Sequence, residues 1–219
     1  SDYMMYAYLQ LGRVADARVI LDSLPAMSAR FDPRVIAGAA PPAAAYFAIA
    51  AIPARYALER GAWAEAASLR PGATSFPWCD AMTHFARALG AAHIGDTATA
   101  LAAVDSLDVI RGRLVAAGER YWSEQVAIQQ LGAEAWLALA RGDSTGALSL
   151  MRSAAAREDA TEKSAVTPGP LAPARELLAD MLAQLGRVRE AEAEYRATLV
   201  REPNRKRAAE GLARMTAAR

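Results

Sequence analysis

The chain has 219 residues, 53% of them apolar and 22% charged, which is enough for one substantial core and outside the composition of disordered chains. Its 25 basic and 24 acidic residues leave a net charge of +1, so no long-range pull toward nucleic acid or anionic lipid is expected. A single cysteine, Cys79, excludes an internal disulfide and leaves the compartment open.

Strong helix formers dominate throughout, and no long alternating run rich in Val, Ile and Thr occurs, so the expected fold class is all-α. The opening SDYMMYAYLQLG reads as the back half of a helix that ends at Gly12. A helix cut short at Ser1 suggests a piece of a longer protein, with any targeting segment upstream. A second helix carries Ala17 and Leu21. After Ser23, LPAMSARFDPRVIAGAAPPA reads as an inserted loop, marked by Pro25, Pro33, Pro41 and Pro42. Val35 to Ala54 carries no charge over a length that could cross a bilayer. Prolines 41, 42 and 53 interrupt it, however, and it runs into the next helix, so no membrane span is expected.

Gly61 closes that helix, and Pro71, Gly72 and Pro77 mark the loop before the helix carrying Cys79, Met82, His84, Phe85 and His93. His84 and His93 fall on opposite sides of one helix and cannot share a metal. Gly95 starts the turn to a helix through Val104, and Asp105 to about Tyr121 reads as a second insertion. The next helix holds Gln129, Ala135 and Trp136 and ends at Gly142. GDSTG, Gly142 to Gly146, matches a hydrolase nucleophile pattern around Ser144, but a helix precedes it where that motif needs a strand. Glu158, Asp159 and Glu162 read as solvated or paired carboxylates. REDATEKSAVTPGPL, Arg157 to Leu171, is the third insertion. Its prolines make it an ordered loop, read as a brace between the flanking helices ahead of a ligand site. The basic stretch REPNRKR, Arg201 to Arg207, reads as a solvated helix terminus.

Five glycines stand five residues before an alanine: Gly12 and Ala17, Gly61 and Ala66, Gly95 and Ala100, Gly142 and Ala147, Gly186 and Ala191. Seven residues before each glycine come Met5, Ala54, Ala88, Ala135 and Ala179, small at four places, as close helix contact requires. Four residues after each alanine come Leu21, Arg70, Val104, Met151 and Tyr195, with Arg70 the departure. The last copy, APARELLADMLAQLGRVREAEAEYRATLVREP from Ala172 to Pro203, resembles a tetratricopeptide repeat (TPR). TEKSAVTPGPLAPARE, Thr161 to Glu176, followed by EPNR, Glu202 to Arg205, is similar to a segment near the C-terminus of a group of bacterial TPR proteins. YWSEQVAIQQLGAEAWLALARGD upstream fits the same group.

That resemblance implies one domain over residues 1–219: a right-handed α-solenoid of antiparallel helix pairs with loop insertions between repeats. The repeats would span about 1–23, 43–70, 79–105, 122–157 and 171–203, with a capping helix at 205–217. It also implies a concave groove lined by Tyr6, Gln10, Arg55, Glu59, Met82, Phe85, Leu89, His93, Gln129, Trp136, Glu176, Asp180 and Gln184. Tyr6, Arg55, Phe85, His93, Trp136, Glu176 and Asp180 are the candidate partner-binding residues. Such a mixed lining suits a protein or peptide partner. The expected function is a non-enzymatic interaction scaffold, with no cofactor and no metal site. The alternative is an accessory or small-ligand-binding domain of an enzyme or assembly whose catalytic part lies elsewhere.

Overall fold

A computed structural model describes residues 1–30, 43–72, 74, 76–162 and 167–217. Among these, eleven helices and no strand are found. They are α1 (Asp2–Gln10), α2 (Val14–Arg30), α3 (Ala43–Glu59), α4 (Trp63–Ser68), α5 (Pro77–His93) and α6 (Thr97–Ala116). After them come α7 (Arg120–Ala140), α8 (Ser144–Asp159), α9 (Ala174–Gln184), α10 (Val188–Arg201) and α11 (Lys206–Ala217). Every helix packs against the next, and the odd-numbered helices also touch one another in series, α1 to α3 and on to α11. The odd-numbered helices thus form one continuous layer against which the even-numbered ones lie.

The turns follow from a single backbone requirement. Gly12, Gly61, Gly95, Gly142 and Gly186 all take positive φ, as does Gly118 between α6 and α7. At Gly95 the glycine N–H donates to Ala92 O and the Asp96 N–H to Ala91 O, satisfying carbonyls the helix end leaves open. The same pair of bonds recurs at the other five turns. Asp96 and Asp143 then start α6 and α8 by accepting from the N–H groups of Thr99 and Gly146, at 3.0 and 2.8 Å. Gly142 and Asp143 of the GDSTG run are therefore a helix stop and a helix start.

The ten residues that the repeat register places where helices touch are all at 0% exposure: Met5, Ala54, Ala88, Ala135 and Ala179, with Ala17, Ala66, Ala100, Ala147 and Ala191. Arg70, the departure, falls just beyond α4, which is only six residues long. A main core runs from Phe47 to Ala208, and a smaller one joins Met5, Leu9 and Ala17 to Ile52 and Tyr56.

Two of the expected loop insertions are corrected. Helix α2 continues through Pro25 to Arg30, and Pro53 lies inside α3. A proline bends a helix and removes one hydrogen bond without ending it when good helix formers flank it. Asp105 to Ala116 is the second half of α6. Leu107, Ile110 and Leu114 continue its buried face at helical spacing, so this insertion lengthens a helix. Of the third, Arg157 to Asp159 complete α8 and the described remainder forms no helix, with Leu171 buried at its end. Pro33, Pro41, Pro42 and the stretch Lys163 to Val166 lie outside the described residues. No helix among the described residues is long and apolar enough to cross a membrane.

Candidate functional site

The odd-numbered layer carries the expected groove residues, and the chain itself occupies much of the space before them. Asn204, with φ of 64°, turns the backbone after α10 and delivers Arg205 and Arg207 onto α3 and α9. Arg205 Nε and Nη2 donate to Glu176 at 2.8 and 3.0 Å, and Nη1 donates to Glu59 at 2.6 Å. All three side chains are closed off from water. Burial works against the charge on Arg205, but Glu176 and Glu59 outweigh it and hold its pKa well above the usual arginine value. Arg207 donates to Glu176 and Asp180 at 3.2 and 2.8 Å and to the Leu58 carbonyl at 2.8 Å. The Lys206 backbone N–H donates to Gln10 Oε1 at 2.8 Å, which ties the start of α11 to the end of α1.

Arg55 forms a second buried centre. It donates to both carboxylate oxygens of Asp2, at 3.0 and 3.3 Å, and to the carbonyls of Gly169 and Pro170, at 3.3 and 3.2 Å. Tyr6 lies beneath its guanidinium, 5.2 Å from ring centre to Cζ. The 167–173 segment is thereby fastened to α3 as well as to its sequence neighbours. At its end Glu158 accepts from the Ala174 N–H at 2.7 Å, and Arg175 bonds to Asp159 and to Glu194. The described part of the third insertion is thus tied to α3, α8 and α9.

His93 is stacked between two indoles, 3.7 Å from Trp63 and 4.1 Å from Trp136. Its Nδ1 bonds to Leu89 O at 2.7 Å, and burial pushes its pKa down to about 4, with Arg207 adding to the shift against the Leu89 bond. Trp136 is buried, as is Phe85. All seven candidate partner-binding residues therefore lie on the odd-numbered helices, and each is covered or paired within the chain. The reading of Arg201 to Arg207 as a solvated terminus is corrected at Arg205 and Arg207. Their charge is neutralised by three carboxylates distant in sequence, Glu59, Glu176 and Asp180, which a helix-end reading has no means to count.

Openings remain along this layer, and one, of about 550 Å³, is lined by Glu59, Arg60, Asp180, Lys206, Arg207 and Arg214. A cavity of about 70 Å³ lies where the starts of α3, α5 and α7 meet Glu158, Thr161, Glu162, the 167–171 stretch and the end of α10. Trp78 and Trp122 stack face to face at its wall, 3.9 Å apart, and Phe47 leans on both at 6.1 and 6.3 Å. Tyr121 meets Trp122 edge-on at 4.9 Å. Glu158, Glu162, Glu202, Gln125 and Gln129 supply polar groups, and the cavity is continuous in lining with a smaller one that reaches Phe85 and Gly132. Gln129 Oε1 is shielded from water and lacks a hydrogen-bond partner among the described residues. Burial, then Glu202 and Asp159, push the Glu158 carboxyl up to about 7, against the Ala174 N–H and Arg201. Met82, Phe85 and Gln129 were expected on this face. Trp78, Trp122, Glu158 and Glu202 were not, and the two indoles come from helices read separately in the sequence.

Cys79 is buried near this wall, and burial together with Asp80 pushes its thiol up to about 12, so it is not a nucleophile at neutral pH. Among the described residues no group of three or more His, Cys, Asp or Glu is placed to hold a metal ion. No protein-family model, curated protein or solved structure matches the chain.

Proposed function

We propose that this chain is a non-enzymatic interaction module, a right-handed solenoid of TPR-like helix pairs that binds a polypeptide segment. On this reading the segment presents one side chain to the aromatic cavity between α3, α5 and α7. Register supports the TPR-like part of the proposal: five helix-ending glycines with one hydrogen-bond pattern, and alanines buried at nine of the ten positions where paired helices touch in such repeats.

The observation that carries the binding reading is the pairing of stacked indoles with an unsatisfied acceptor in one cavity. Aromatic anchors surrounded by a few convergent polar groups are the usual make-up of a specific contact point. At this aromatic cavity, size separates polypeptide from small molecule. At about 70 Å³ the cavity is far below the roughly 300–1,000 Å³ that encloses a whole small ligand, and it suits the end of a side chain.

Selection from a random peptide library tests the proposal. Peptides that bind should shift the indole N–H resonances of Trp78 and Trp122, and Trp122→Ala should weaken them at least tenfold while thermal unfolding stays cooperative. Selected peptides that bind without moving either resonance would place recognition elsewhere.

A further inference from the structure

The larger cavity, at the far end of α3 from the indoles, has the size and the donors of a small-molecule site, and we infer that it takes a phosphate monoester of a hydroxyl-rich small molecule. The inference does not rest on the polypeptide reading, and either can fail without the other.

At about 550 Å³ this cavity falls within the roughly 300–1,000 Å³ that encloses a small ligand. The turn between α1 and α2, the end of α3, Asp180 of α9 and the first part of α11 bound it. Four cations and three carboxylates line it, and the two signs are not equally free. Glu59 accepts from Arg205, which is buried behind it, at 2.6 Å. Asp180 accepts from Arg207 on one oxygen at 2.8 Å and from the Tyr195 hydroxyl on the other at 2.5 Å. Glu210 is paired with Lys206. Each carboxylate of the lining thus already holds a cation of the chain.

The unused capacity is on the donor side. Arg214 brings five N–H donors to the lining and has no hydrogen-bond or ion-pair partner among the described residues. Arg60 lies over the Tyr56 ring, 4.1 Å from its centre, and gives one nitrogen to Glu65, which stands outside the cavity. The Arg60–Glu65 and Lys206–Glu210 pairs are both open to water, and such pairs are weak enough for their cations to turn to an incoming anion. Donors therefore reach one space from the end of α3 and from α11. A carboxylate offers two oxygens in one plane, whereas a phosphate monoester offers three in a tetrahedral spread and close to two negative charges at pH 7, which suits donors on separate walls. A bare phosphate fills only part of the volume. Leu9 and Val14 border the rest together with Glu59 and Asp180, whose spare lone pairs accept hydroxyl groups, so the organic part is hydroxyl-bearing.

The test titrates the full chain with four probes: glucose 6-phosphate, glucose, inorganic phosphate and succinate. Calorimetry gives the affinities, and the Trp63 indole N–H resonance gives the place, because Arg207 lies over that ring at 5.6 Å. Glucose 6-phosphate should bind at least tenfold more tightly than each of the other three and should move Trp63 while Trp78 and Trp122 stay. Arg214→Gln should weaken it at least tenfold and Arg60→Gln at least threefold, with thermal unfolding unchanged in the first. Arg152→Gln, on α8 and outside the cavity, should leave it as it is. Equal binding of glucose would overturn the anion, equal binding of succinate the phosphate, and equal binding of inorganic phosphate the organic part. Binding that moves Trp78 or Trp122 instead of Trp63, or that both Arg214→Gln and Arg60→Gln leave unchanged, would overturn the site. If none of the four binds at millimolar concentration, the inference fails and the polypeptide reading stands untouched.

Discussion

Arg205 meets Glu176, 29 positions away in the chain, through two parallel N–H donations, at 2.8 and 3.0 Å, with both side chains shut away from solvent. A third group, Glu59, accepts from the remaining nitrogen at 2.6 Å. One side chain thereby joins the end of α3, the start of α9 and the start of α11.

Removing that side chain should be among the most damaging single changes. Arg205→Ala leaves Glu59 and Glu176 buried without their principal cation, and breaking a buried pair from one side costs about 3–5 kcal/mol. Urea unfolding of the variant against the parent would measure it. Glu210→Ala supplies the contrast: its bond to Lys206 lies on an exposed face and contributes about 0–1 kcal/mol. A loss at Arg205 no larger than at Glu210 would contradict the closed geometry of the cluster.

The parts of this fold that were legible in the sequence are those in which one residue type answers one local demand. A left-handed turn needs glycine, and Gly12, Gly61, Gly95, Gly142 and Gly186 all make one. Close helix approach needs a small side chain, and Ala66, Ala100, Ala147 and Ala191 all sit at one. The structure departs from the sequence reading where a local signal is overridden. Pro25 marks a loop by residue type but lies in a helix, and the stretch after Asp105 reads as an insertion although Leu107, Ile110 and Leu114 continue the helical period. The covering of the groove was not legible because it depends on pairs such as Arg205 with Glu59 and Trp78 with Trp122, and a single sequence contains nothing that links those positions. Trp136 marks the boundary: its helix and face were legible, but not that His93 would cover it.

Register predicts the response of the contact alanines. Ala135→Leu and Ala191→Leu each insert a branched side chain where no space exists, and overpacking of this kind costs about 1–3 kcal/mol. Near-zero shifts of both in urea unfolding would show that the helices at these two levels can move apart freely.

Two glycines should respond with opposite sign to the same substitution. A Cβ at Gly90 would lie 2.5 Å from both Trp63 O and Ala67 N, backbone atoms of α4 that cannot swing aside, so Gly90→Ala should destabilise by about 1–3 kcal/mol. At Gly132 the nearest atoms are the flexible ends of Met151 and Phe85 at 3.6 Å, an ordinary contact. Gly132→Ala sits mid-helix in α7 and should stabilise by about 0.5–1 kcal/mol through the lower entropy of its unfolded chain. Thermal unfolding of the two variants side by side gives both signs.

Trp136→Ala should reduce stability by about 3–5 kcal/mol, the usual cost of deleting a buried tryptophan, because the indole is interior and holds His93 on one face. Loss of cooperative unfolding at 37 °C, or a midpoint shift of that size in urea, is the expected result. A fully stable variant would instead return Trp136 to the accessible face that the repeat register suggested for it.

His93 makes the interior of that stack sensitive to acid. Folding holds the imidazole neutral between Trp63 and Trp136 with its pKa pushed down to about 4, while the unfolded chain protonates it near the ordinary 6.5. The unfolded state therefore binds the proton first, and stability falls as the pH drops from about 6.5 to 4, by about 3 kcal/mol for a difference of that size. Glu158 works in the opposite direction, because its carboxyl is raised to about 7 in the folded chain and gains stability as the pH falls through that value. The comparison that isolates His93 is with His93→Phe, which keeps an aromatic ring in the stack, cannot ionise, and leaves Glu158 in place. Between pH 7 and pH 4 the parent should lose about 2–3 kcal/mol more than His93→Phe in urea unfolding. Parallel losses in the two proteins would mean that His93 ionises inside the folded chain, with the stack opening to admit water at a cost well below that of protonating it in place.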